Sequence, residues 1–182
     1  KVFEFNTETY YKKNLTSFDT SIDLDGMVPS VERIEKYEGV TKNIITDQTF
    51  TFKELDNKVG LFIIEMQGNG KNSRAIIKKG SLTLIHKSSP AGHVAFIIDS
   101  KRNICKSEKT GILVKKKFYQ SDAETGAIFI PYGNQIETHK VIMMHEGFAQ
   151  LGNFEQKTEN YDFSVHFHAN NEQFLVGQEA QI

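Results

Sequence analysis

Gly60-Leu61-Phe62-Ile63-Ile64-Glu65-Met66-Gln67-Gly68-Asn69-Gly70-Lys71-Asn72-Ser73-Arg74-Ala75-Ile76-Ile77-Lys78-Lys79-Gly80 is the stretch that decides the fold class. Two isoleucine-rich runs flank Gly-Asn-Gly-Lys. Asn-Gly tolerates the positive φ angles that tight hairpins require, so the stretch reads as a β-hairpin. A hairpin of this length points to antiparallel β structure.

Outward from the hairpin the same signals recur. Phe3 and Phe5 alternate with Glu4 as an opening strand. Residues 6–27 are polar, with Asp23-Leu24-Asp25-Gly26 as a turn. Val28 to Val40 fits either an extended segment or a short helix, because Val31, Ile34 and Tyr37 are spaced by three. Ile44-Ile45 and Phe50-Thr51-Phe52 read as strands. Ser81 to Leu84 alternates. Ser88-Ser89-Pro90-Ala91-Gly92 has the composition of a linker, and His93 to Asp99 reads as a buried strand. Gly111 to Tyr119 and Ala127 to Tyr132 are expected to pair. Val141 to His145, Phe148 to Leu151, Asp162 to His168 and Gln173 to Val176 continue the pattern. Short strands separated by turn residues predict an all-β chain of tandem antiparallel β-sandwiches.

The chain has 182 residues, enough for one large or two small domains. Phe is abundant (14) and Trp absent, a usage suited to sandwich cores because Phe needs no polar partner. The 22 basic and 23 acidic residues are interspersed and give a net charge of −1, which argues against a nucleic-acid binder. Lys115-Lys116-Lys117, the one run of three bases, reads as a solvated edge strand. No apolar run is long enough to span a membrane. With Cys105 as the single cysteine, no internal disulfide forms. The start at Lys1 and the stop soon after Phe174-Leu175-Val176 suggest a piece of a longer protein.

Two stretches carry a family resemblance. In Gly60 to Leu84, a glycine opens a strand that ends on Glu65. A tight turn at Gly68-Asn69-Gly70, a return through Arg74-Ala75-Ile76-Ile77 and a short strand through Leu82 and Leu84 follow. In Gly111 to Pro131, Ile112, Val114 and Phe118 lead through Asp122 and Gly126 into Ile128 and Ile130. The first resembles the closing strands of a macroglobulin-type domain, the second the carboxypeptidase-regulatory-like or macroglobulin pattern. The resemblance covers residues 60–182 and implies immunoglobulin-like or macroglobulin-like sandwiches in an extracellular or cell-surface protein. The family's thioester segment is missing, since Asn103-Ile104-Cys105-Lys106 does not match it. The first 59 residues depart most from the pattern.

Candidate chemistry is sparse. His166 and His168 share one face of a strand and could hold zinc with a third ligand; His86, His93, His139 and His145 are scattered and name none. His145-Glu146 begins like the zinc-protease motif, but Ala149 stands where the second histidine belongs. Gly68-Asn69-Gly70-Lys71-Asn72 resembles a phosphate loop only in part, because Glu65 and Asn72 replace the required Gly and Ser or Thr. Cys105, near Lys101, Arg102 and Lys106, is a nucleophile only if a base lies close, and otherwise a small apolar filler. Asp19, Asp23 and Asp25 form an acidic loop without the ligand ladder of a calcium site. Asn14-Leu15-Thr16 is a glycosylation acceptor only if the chain is exported.

Three segments are expected: a sandwich over 1–87, a second over 88–160, and closing strands or the start of a further domain over 161–182. The expected core comprises Phe62, Ile64, Ile76, Leu82, Leu84, Phe96, Ile98, Ile112, Val114, Ile128, Ile130, Val141, Phe163 and Val165. No catalytic, cofactor-binding or metal-binding residue is assigned, and no cofactor. The expected role is a non-enzymatic module that contacts protein partners or neighbouring domains, without nucleic acid or membrane insertion. The alternative is an accessory domain of an enzyme, positioning it or binding carbohydrate, which the lack of Trp disfavours.

Overall fold

The computed structural model describes residues 1–36 and 45–159. These carry ten β-strands, one short α-helix and a turn of 3-10 helix at Lys53–Leu55. All strand pairs between named strands are antiparallel.

The opening hairpin forms as expected. β2 (Gly60–Gly68) returns as β3 (Lys71–Lys79), with Gly60 opposite Lys79 and Gly68 opposite Lys71. Asn69 and Gly70 both take positive φ, 49° and 71°, the two-residue turn whose twist matches the flanking strands. β1 (Val2–Phe5) pairs on the other side of β2, completing a three-stranded N-terminal sheet in the order β1-β2-β3. Irregular chain covers both faces of this sheet. Leu24, Phe18, Ile22 and Met27 pack on Phe3 and Ile63, while Leu55, Phe52 and Val31 pack on Val2, Phe62 and Ile64. Phe50 to Phe52, expected as a strand, is irregular and leads into the 3-10 turn; Phe52 is held instead as a lid on the sheet. Val31 makes a single antiparallel bridge to Val2, and Ile45 is 98% exposed.

The remaining strands form a sandwich. One sheet has the order β4-β5-β8, from β4 (Leu82–Ser89), β5 (Gly92–Asp99) and β8 (Ile128–Ile130). The other has the order β10-β9-β6-β7, from β6 (Gly111–Val114), β7 (Lys117–Gln120), β9 (Glu137–His145) and β10 (Phe148–Gln156). Between them lie Leu82, Ala95, Ile97, Ile128 and Ile130 from the first sheet and Ile112, Val114, Val141, Met143 and Phe154 from the second. Burial of this apolar surface is the main stabilising term.

Several expectations are corrected. Ser88 to Gly92 is no linker: Ser88 pairs with His93 and Ser89 with Gly92, so it closes the β4–β5 hairpin. The change of sheet occurs at Gly80, whose φ is +92° and whose Cβ position lies 2.6 Å from Val59 Cγ1, leaving no room for a side chain. Ala127 to Tyr132 does not pair with Gly111 to Tyr119; β6 pairs with β7 and β9, and β8 crosses to β5. The Asp122 carboxylate accepts from the amides of Glu124 and Thr125, closing the turn that carries the chain between the sheets. Of Lys115 to Lys117, the first two form the β6–β7 turn, with Lys115 at φ 56°, and only Lys117 belongs to a strand, opening β7 at the edge of its sheet.

The core of β5 has the opposite parity from the expected one. His93, Ala95 and Ile97 are buried, while Phe96 and Ile98 point to the outer face and are half-buried. Pairing with β8 sets this: Ala95 lies opposite Ile128 and His93 opposite Ile130, so those side chains share the inner face. Ile76 and Leu84 are also half-buried. Phe163 and Val165, with the strands expected at Asp162 to His168 and Gln173 to Val176, lie outside the described residues.

Candidate functional site

The most built feature outside the two cores is the junction where the N-terminal sheet meets the sandwich. Its centre is α1 (Thr7–Asn14), in the segment read as polar and given no regular element. The local sequence specifies this helix. Asn6 caps it by accepting the Thr9 N–H at 2.8 Å. Glu8 lies in the first turn, and Lys12 and Lys13 lie in the last, each sign matched to the helix dipole. Lys12 also pairs with Glu8 one turn away. The helix stops at Leu15, which takes the left-handed conformation and donates its N–H to the Tyr11 carbonyl.

α1 turns two side chains toward the β9–β10 hairpin. Tyr11 is buried against Ile142, Met144 and Ala149. Burial, and the neighbouring Tyr10, raise the Tyr11 phenol pKa. The Thr7 hydroxyl accepts the Ala149 N–H at 2.8 Å in a buried bond. A second link runs between strands: the Leu82 N–H donates to Gln150 Oε1 at 3.0 Å, tying the first residue of β4 to β10. Beside these contacts a cleft of about 810 Å³ opens between the parts, lined by Glu4, Thr7, Gly80, Asp99, Lys101 and Glu146 among others. Its carboxylate Asp99 is spent on its own turn, accepting from the amides of Lys101 and Asn103, which lowers its pKa.

The N-terminal sheet is held rigid by an ion pair. Glu65 is buried, and its carboxylate accepts from Arg74 Nε at 3.0 Å. Arg74 also donates to the Ile22 carbonyl at 2.9 Å, so it staples the covering loop to the sheet. The two residues face one another in the hairpin register, a cross-strand pair that hairpin arithmetic alone would have found.

The residues weighed for chemistry are dispersed. His166 and His168 lie outside the described residues. His145 Nδ1 is hydrogen bonded to Thr110 Oγ1 at 2.6 Å, and Glu146 sits in the β9–β10 turn at φ 48°. His139 bonds Gln156. His93 is fully buried among Phe154, Tyr132 and His86. Its Nε2 accepts the Lys157 N–H at 3.0 Å, while its Nδ1 has no partner. Burial lowers its pKa. Cys105 is buried in the sandwich core, and burial together with Asp99 raises its thiol pKa, the reverse of what a nucleophile needs. Asp19 accepts from Ser21, and Asp23 accepts from the Asp25 N–H, each carboxylate closing its own short turn. Asn14 ends α1 and donates from its side chain to the Tyr10 carbonyl. Among the described residues no three His, Cys, Asp or Glu side chains gather as metal ligands.

Comparison with known proteins adds the context of this junction. Residues 1–80 match the family model described as the AbpF first immunoglobulin-like domain. The whole chain is similar to Actin-binding protein F of Dictyostelium discoideum, with 34% identity over 187 aligned residues; the match takes in 100% of this chain and 8% of that protein. No solved structure matches. The all-β class is shown by the strands, the likeness to an immunoglobulin-like domain covers residues 1–80, and the match does not extend to the macroglobulin type. The expected extracellular or cell-surface setting is overturned, because the similar protein is named for binding actin, a cytoskeletal filament.

Proposed function

We propose that this chain is a non-enzymatic interaction and spacing module of a larger actin-binding, cytoskeletal protein. The observation that carries the reading is the similarity to Actin-binding protein F along the entire chain, while the chain spans only 8% of that protein. The geometry supports it. Two β units are joined by a built junction in which Thr7, Tyr11 and Gln150 make specific contacts, as a spacer that must hold its neighbours at a set angle requires. We place the division between the units at Gly80 to Leu82, where one sheet stops and the next begins. No residue is assigned a catalytic, cofactor or metal role.

Sedimentation with filamentous actin tests the reading. The full-length natural protein that contains this chain should pellet with filaments in a saturable manner. If it stays in the supernatant at all filament concentrations, the reading is wrong.

A further inference from the structure

The outer face of the β4-β5-β8 sheet is apolar where an isolated sandwich would carry polar residues. Strand register brings six side chains together there. Ile85 lies opposite Phe96 and Val94 opposite Phe129, and Ile104 bridges to Ile98 beyond the end of β8. Each neighbours in sequence a residue that faces the core: Ala95, Ile97, Cys105, Ile128 and Ile130 are buried, and Leu84, beside Ile85, packs against that core. Ile85, Phe129 and Ile104 are 52%, 50% and 43% exposed, and the other three are half-buried. Lys87 and Thr83 share the face at its margins by the same alternation.

We propose that this face docks a further immunoglobulin-like β unit of the same longer polypeptide, sheet against sheet. The inference rests on the reading of the chain as a module of a larger protein. Three observations select this occupant. The first is extent. The patch is six apolar side chains, three of them about half exposed, contiguous across three strands as contact surfaces are. Six residues fall well short of the roughly 20–30 a side with which specific complexes between free partners hold. Contacts between domains of one chain begin near 600 Å², and a tether supplies an effective concentration near millimolar. A linked unit therefore fits where a free second copy falls short. The second is position. Past β10, Thr158 bridges Gly133, three residues beyond β8, so the chain runs along the end of the strand that borders the face. The third is context. The matched family is described as a first immunoglobulin-like domain, and the similar protein extends far beyond the matched part.

Photo-crosslinking in the full-length protein tests the proposal, with p-benzoylphenylalanine in place of Phe129 and, as a control, in place of Lys116 on the β6–β7 turn. The Phe129 probe should give a product of monomer mass whose cross-linked peptide belongs to another β unit of the same polypeptide. Adding I85K should lower that yield at least fivefold, and the Lys116 probe should not give it. A product of dimer mass, attachment to a different protein, or no product overturns the docking. Filament sedimentation of the same sample separates the two claims. Binding to actin without the internal cross-link removes only the docking. An internal cross-link without actin binding removes only the actin reading.

Discussion

Thr7 Oγ1 and the Ala149 backbone N–H meet at 2.8 Å, out of water, 142 positions apart in the chain. This bond joins the helix that follows β1 of the N-terminal sheet to the last hairpin of the sandwich. Its replacement by an isosteric apolar group strands a buried donor. T7V should therefore destabilise the protein by about 1–3 kcal/mol, whereas T7S, which keeps the hydroxyl, should stay within about 1 kcal/mol of wild type. Urea denaturation measures both, and the Ala149 amide should exchange faster in T7V alone.

Glu65 and Arg74 form the second long-range constraint, inside the N-terminal sheet. Removing the cation leaves a buried carboxylate facing Met and frees the loop carbonyl of Ile22. R74M should cost about 2–4 kcal/mol. The double variant E65M/R74M should recover more than half of that loss, since no uncompensated charge remains. Equal losses in the single and double variants would show that the packing of the arginine stem, and not the charge, carries the effect.

His93 predicts a pH dependence with a definite sign. Burial lowers its pKa below the usual 6.5. The unfolded chain therefore binds a proton more readily than the native one. The stabilisation is complete above pH 6.5 and is lost as pH falls through the native pKa. Protonation also places a hydrogen on Nε2, where the Lys157 N–H now donates. Stability measured from pH 7.5 to 5 should fall, and H93Q should show a shallower slope over the same range.

Cys105 should be inert in the folded protein. Its thiol is buried and its pKa raised, so thiolate is scarce at neutral pH. A chromogenic disulfide reagent should modify it at a rate set by unfolding, and fully in denaturant. C105A should cost about 1–2 kcal/mol by leaving a small cavity. Rapid labelling of native protein would contradict the burial.

What could be read in advance follows where residue identity alone fixes geometry. Asn69-Gly70 announces its turn because few other pairs accept two positive φ angles in succession. Val141 and Phe148 announced strands through their apolar neighbours, and both lie in the core. Val94 to Ile98 is different. Every residue in that run is apolar, so its alternation carries no parity, and only the pairing of Ala95 with Ile128 decides which side faces inward. The outer apolar face was hidden for that reason. The junction was hidden for another. α1 is short, and its value lies in Thr7 and Tyr11 meeting residues far along the chain, a contact that no local pattern encodes. The cap at Asn6, with Glu8 early and Lys12 and Lys13 late, was the available signal.

The central claim is that α1 binds the N-terminal sheet and the sandwich into one cooperative body. Differential scanning calorimetry of the 182-residue chain tests it most directly, with Y11A as the perturbation, because Tyr11 fills the contact with Ile142, Met144 and Ala149. Wild type should unfold in one transition whose calorimetric and van't Hoff enthalpies agree, and Y11A should split it into two resolved transitions. Two transitions in wild type, or an unsplit transition of unchanged midpoint in Y11A, would contradict the account.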